Sequence, residues 1–241
     1  VWSTRLSLCA LLSMGALCAC SSDPPSGKGA GGMGDTAALE DSGEADETGL
    51  PEDTAPAGPG PFADAVAEFK PGEGAGYGQD GFPDVVLGPP EGGGESGSLD
   101  VLSLGREGVI VLEFTDIGLV DGPGPDLLVF ENPFPGWYEP GAVAVSEDGV
   151  DWREWPCDPA DAEGLYPGCA GVGLVWSSSA SGVDPTDPAV AGGDAFDLAE
   201  VGLTRARFVR IRDGGTSDYA GVSGGFDLDA VAVVNGETLA P

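Results

Sequence analysis

The sequence predicts an all-β sandwich formed by one folded domain, and three observations carry that prediction. Eight short apolar runs, at residues 65–69, 101–104, 109–114, 126–130, 142–146, 173–176, 205–211 and 226–234, are rich in branched residues and are separated by Gly, Pro and Asp clusters. That is the punctuation of short strands and turns. No window shows a comparable helical period, and Phe226, Leu228, Ala230, Ala232 and Val234 recur at every second position. The last pattern puts one face of the final strand in a core and turns Asp227 and Asp229 to the other face. Many short strands with regular turn signals stack most readily as two sheets.

Taken in order, the elements begin ahead of that domain. An apolar run from Leu6 to Leu17 follows the single charge of Arg5 and closes on Leu17-Cys18-Ala19-Cys20. This is the layout of an export signal, and it is too short to span a bilayer. It resembles the signal of bacterial lipoproteins, which ends in Leu-x-(Ala/Gly)-Cys, with Leu17, Ala19 and Cys20 in those positions. The resemblance implies a signal over residues 1–19 and a diacylglyceryl thioether on Cys20. With Ser21 and Ser22 next, it implies retention at the outer membrane, as a cell-envelope protein held through its lipid anchor only. An ordinary secretory signal is the alternative. Residues 20–61 are Gly, Pro, Ala, Ser, Thr, Asp and Glu with almost no large apolar side chain, so they bury too little surface to offset the entropy of ordering. Repulsion among their carboxylates extends them into a tether.

The sandwich domain is expected over residues 62–241. In the run from Arg205 to Arg212 the apolar parity switches between Phe208 and Val209, which requires a kink or a bulge there. Arg205, Arg207, Arg210 and Arg212 are concentrated on this strand, and consecutive strands usually neighbour each other, so cross-strand ion pairs to Asp227 and Asp229 are expected. Trp152, Trp155 and Trp176 are expected in the core or against a disulfide.

Charge and inventory exclude several functions. With 9 basic and 41 acidic residues the formal net charge is −32, which repels nucleic acid and anionic membrane surfaces. Histidine is absent, so imidazole metal sites, Ser-His-Asp triads and Cys-His pairs cannot form. Of the 5 cysteines, Cys9 and Cys18 leave with the signal and Cys20 carries lipid, so Cys157 and Cys169 remain as a pair. Outside the cytosol a disulfide between them is the default, with a metal site the weaker alternative.

Three segments carry a family resemblance. Val145-Ser146-Glu147-Asp148-Gly149-Val150-Asp151-Trp152, then Ala206-Arg207-Phe208-Val209-Arg210-Ile211, then Phe226-Asp227-Leu228-Asp229-Ala230-Val231 together resemble strands of galactose-binding-like jelly rolls of the discoidin or coagulation-factor type C class. Asp148-Gly149 has its own physical basis as a positive-φ hairpin turn, with Trp152 folding back on the sheet. The Asn-Ala-x-Asp-Gly and Thr-x-Trp segments usual in discoidin domains are missing. Val86-Leu87-Gly88-Pro89-Pro90-Glu91 stands instead and is similar to a segment of bacterial cell-surface proteins. The resemblance implies a jelly-roll sandwich in which structural calcium is common.

Two kinds of site follow from the residues. Hard cations take carboxylate and carbonyl oxygens from Gly- and Pro-rich loops; Asp121 and Asp126 close one such loop, and Asp194 and Asp197 sit in a second. Bound Ca2+ is one reading, and solvated turn formers or strand caps are the other. The loop from Pro133 to Pro140 holds Trp137 and Tyr138 between prolines, with Glu131, Asn132 and Glu139 nearby. Aromatic faces beside carboxylates and amides suit sugar binding; the alternative is that these rings cover the open end of the sandwich. Nothing marks a carboxyl pair with the split pKa values of a glycosidase. The expectation is therefore a non-catalytic surface module that binds a glycan, another envelope polymer or an envelope protein. A structural or assembly role and a carboxylate-dependent glycoside hydrolase are the rivals.

Overall fold

The computed structural model describes residues 60–131, 133–216 and 221–240. The signal, the tether up to residue 59, the acylation expected at Cys20 and the ligand role expected of Asn132 lie outside the described residues. Among the described residues the strands run, in chain order, β1 (Ala65–Lys70), β2 (Leu102–Ser103), β3 (Val109–Glu113), β4 (Ile117–Val120), β5 (Leu127–Phe130), β6 (Gly141–Ser146), β7 (Arg153–Glu154) and β8 (Asp194–Phe196). A single helical turn, α1 (Leu198–Val201), then precedes β9 (Arg205–Ala206), β10 (Phe208–Asp213), β11 (Asp227–Leu228), β12 (Ala230–Val233) and β13 (Gly236–Thr238).

The chain is an all-β sandwich. One layer is the antiparallel sheet β1-β3-β10-β6-β7. Across the core from it packs β12-β5-β8, and β13-β4-β9 and the β11-β2 pair form two further small sheets. The core between them draws Ile110 and Leu112 from β3, Val143 and Val145 from β6, and Val209 and Ile211 from β10. Leu127, Val129, Val231 and Val233 come from the opposite layer. Leu128, Phe130, Ala230 and Ala232 point the other way into a second cluster with Val175 and Ala191. This explains why Leu127-Leu128-Val129-Phe130 shows no alternation: β5 is covered on both faces.

Two strands change partners in mid-run, and both changes correct the sequence reading. The kink expected between Phe208 and Val209 falls one residue earlier, at Arg207. Ala206 is paired in β9 with Leu119, and Phe208 is paired in β10 with Glu113 and Ser146. Ala206 and Val209 are both buried, so Arg207 and Phe208 form the two-residue outward step. The alternation read from Phe226 to Val234 also breaks, at Asp229. Phe226 and Leu228 belong to the main core, as do Val231 and Val233, whereas Ala230 and Ala232 lie in the second cluster.

The ion pairs follow these neighbours. β10 lies between β3 and β6, away from β11 and β12, so its arginines cannot reach Asp227 and Asp229. Arg207 pairs with Glu113, Arg205 with Glu237, and Arg210 and Arg212 with Glu154 at 3.5 and 3.3 Å. Residues 173–176 form no ladder; Val175 makes one isolated bridge to Gly192. Gly192 and Gly193 opposite it have φ of 79° and 72°, which a continuing strand cannot accommodate.

The Ser146-Glu147-Asp148-Gly149 hairpin forms as expected. Gly149 adopts φ 76°, and Asp148 Oδ1 accepts the amides of Val150 and Asp151 at 2.8 and 2.9 Å. These bonds hold the Asp148 carboxyl below its usual range. The Arg210 guanidinium lies 4.5 Å from the centre of the Trp152 ring. Trp155 is buried against Phe196, but Trp176 is 48% exposed, contrary to its expected place in the core. Cys157 and Cys169 are joined in a disulfide, with their Cα atoms 4.6 Å apart.

Candidate functional site

The loop between β5 and β6 builds the site. In Phe134-Pro135-Gly136-Trp137 the Trp137 amide donates to the Phe134 carbonyl at 2.9 Å, closing a four-residue turn. Proline at its second position presets φ, and Gly136 supplies the φ of 88° needed at the third. The turn sets the two flanking rings side by side, with centroids 6.3 Å apart and planes within 8° of parallel. Phe134 is 43% and Trp137 44% exposed. Each ring thus keeps close to half of its surface open to solvent.

A cleft of about 350 Å³ opens beside this pair, lined by Tyr77, Leu99, Phe134 and Trp137 together with the carboxylates of Glu139 and Asp227. Tyr77 is steadied by its hydroxyl, which donates to the Leu99 carbonyl at 2.8 Å. Oxygens of Glu131, Glu139 and Asp227 all come within 4.8 Å of one another. Glu131 and Glu139 are buried. The Asp227 amide donates to Glu131 Oε1 at 3.3 Å, and the Ser103 hydroxyl donates to Asp227 Oδ1. Burial pushes the Asp227 carboxyl up to about 6, against the lowering effect of the Ser103 bond and with added repulsion from Asp213.

A second cleft of about 410 Å³ shares Trp137 and Glu139 with the first and is lined further by Tyr138, Pro159, Tyr166 and Thr216. Tyr138 and Tyr166 meet edge to face with centroids 6.3 Å apart. Pro159 and Tyr166 belong to the loop that the Cys157–Cys169 bridge closes. Of the residues named for the platform, the structure therefore brings Trp137 and Tyr138 to adjoining clefts, while Glu131 is buried next to Glu139 and Asp227.

Three of the four aspartates named for a cation also converge. Oxygens of Asp121, Asp126 and Asp197 lie within 4.8 Å of one another. Asp126 is buried, and its Oδ1 accepts Gly122 N and Asn235 Nδ2, both at 2.9 Å, while Oδ2 accepts Leu198 N at 2.9 Å. Asp197 caps α1 by accepting Ala199 N at 2.9 Å. Asp194 stands apart from the group. Its carboxylate accepts the amides of Gly171, Val172 and Gly173, and burial pushes it up against those bonds. Asp213 does the same work elsewhere, accepting Glu107 N, Gly215 N and Phe226 N. The Leu87-Gly88-Pro89-Pro90-Glu91 segment ends at a similar staple: the Glu91 amide donates to both oxygens of Asp229 at 3.1 Å.

Sequence reasoning missed Tyr77, Leu99 and Asp227 as site residues. The first two precede β2 and lie outside the strand runs and motifs that the sequence marks. The sequence pattern pairs Asp227 with the arginines, and only the strand order separates them.

A scan against protein-family models found no match, and a search of curated proteins found none. The functional reading therefore stands on the geometry of the loop and its clefts.

Proposed function

We propose that this chain is a lipid-anchored, non-catalytic binding module of the bacterial cell surface, with a jelly-roll sandwich that presents the Phe134–Trp137 platform to a glycan or another envelope polymer. The observation that carries the reading is the pair of parallel, half-exposed rings over a carboxylate-lined cleft. Apolar ring faces of sugars stack on such aromatics, while carboxylates accept from hydroxyls. The export and anchoring part rests on the Leu17-Cys18-Ala19-Cys20 pattern.

A glycan array probed with the full chain tests the binding reading. Binding that disappears in Trp137→Ala supports it, and an array with no positive glycan refutes it. Intact mass of the native N-terminus tests the anchor, since an unmodified Cys20 removes it.

Calcium belongs to the same proposal as structural support, at Asp121, Asp126 and Asp197. A carboxylate offers about four lone-pair directions, so Asp126 retains one after its three donors, and Asp121 is exposed beside it. Chelation lowers the melting temperature by several degrees if an ion of micromolar affinity sits there. An unchanged melting curve removes calcium from the account.

A further inference from the structure

The two clefts share a wall, since Trp137 and Glu139 line both. Both ring-lined spaces border the half-exposed indole, one with Phe134 and Tyr77 and the other with Tyr138 and Tyr166. Two adjoining ring-lined spaces suit a chain of rings better than a single sugar. The chemistry of the lining is one-sided. Among the described residues neither cleft is lined by Lys or Arg; Glu139 lines both, Asp227 lines the first, and an oxygen of the buried Glu131 comes within 4.8 Å of theirs.

A carboxylate accepts and never donates, whereas an ammonium group brings three donors and a positive charge. Aromatic faces add to the attraction, since the ring quadrupole favours a cation above it. Uronic or sulfated sugars meet the opposite field, from these carboxylates and from a net charge of −32. N-acetylation removes the charge and leaves one N–H donor. From this complementarity we propose that the ligand is a polysaccharide of amino sugars with free ammonium groups, laid across Trp137 with a ring in each cleft. This rests on the reading of the platform as a glycan seat and narrows it to one chemical class.

Calorimetric titration of the full chain, with chelator present and at physiological ionic strength, tests the proposal. The probes are β-1,4-linked glucosamine oligomers, their N-acetylated counterparts of equal length, glucosamine monomer and a lysine oligomer. The expected result is that the free-amine oligomer binds about tenfold or more tighter than the acetylated one. It should also bind tighter than the monomer. Glu139→Gln should erase the margin over the acetylated oligomer, and Trp137→Ala should weaken both. Asp227→Asn repeats the charge test, and thermal melting of each variant confirms folding.

Equal or tighter binding of the acetylated oligomer overturns the amine assignment while leaving the glycan reading intact. No binding of any sugar overturns both. Free-amine binding that survives Glu139→Gln, Asp227→Asn and Trp137→Ala is general attraction to an acidic surface and overturns the proposal. A lysine oligomer that binds through Trp137 as tightly as the sugar also overturns it, in favour of a basic protein partner.

Discussion

Two groups of three carboxylates lie in this domain, and they differ in what surrounds them. Around Asp126 the oxygens face amides: Gly122, Leu198 and the Asn235 side chain all donate to it. Glu139 and Asp227 instead line a cleft walled by aromatic side chains, where the Ser103 hydroxyl donates to Asp227. The first group ties loops to the sandwich, and two members of the second line a cleft. Proximity of acidic side chains is thus no guide to function until their donors are counted, because a buried anion stabilises a fold when peptide N–H groups converge on it.

Replacing members of each group separates the two roles. Asp126→Ala removes three bonds to a charged acceptor and strands the buried Leu198 amide, so it should destabilise by about 4 kcal/mol in urea unfolding. A change below about 1 kcal/mol would mean that the staple is not structural.

Asp229 sharpens the contrast through pH, because it is buried with fewer donors. Burial raises its carboxyl to about 8, opposed by the Glu91 amide and reinforced by repulsion from Asp100 and Glu91. The native state then holds a proton that the unfolded chain releases above about 4. Stability from this group is complete at low pH and declines as pH rises toward 8, by about 3 kcal/mol between pH 5 and 8. Asp229→Asn should remove that slope in a pH series of denaturation curves; an unchanged slope assigns the titration elsewhere.

Opening the Cys157–Cys169 bridge should lower stability by about 3 kcal/mol or slightly less, as expected for releasing a short loop. It should also loosen the second cleft, which Pro159 and Tyr166 line, and spare the first. Binding of oligomers compared with monomers after reduction reads this directly. The smallest effect on stability is expected from Trp137→Ala, within about 0.5 kcal/mol by thermal melting, because the indole is half exposed. A larger loss would make the platform part of the core.

Much of the framework was legible where one physical signal acted alone. Val109–Glu113, Leu127–Phe130 and Gly141–Ser146 are dense with branched residues, and all three form strands. The Asp148-Gly149 turn was legible because few residues tolerate its backbone. Elements failed to show where tertiary neighbours decide. β4 has Gly118 inside it and takes its place from β13 and β9, and β8 begins at Asp194, whose side chain reads as a loop. The partner switch at Asp229 was hidden because small residues on both faces mimic a simple alternation. For the site, the Pro135-Gly136 turn marked the platform, but the wall opposite it came from residues far away in the chain.

Among the described residues, Asp126 and Asp213 bond to peptide and side-chain amides and not to Lys or Arg. Dissolved ions shield charge from charge, and they have little access to an anion enclosed by neutral dipoles. Seawater or stronger brine would therefore leave these anchors in place while quieting the mutual repulsion of the many outward-facing acids. A domain held in this way gains firmness under salinity that dissolves ordinary surface ion pairs.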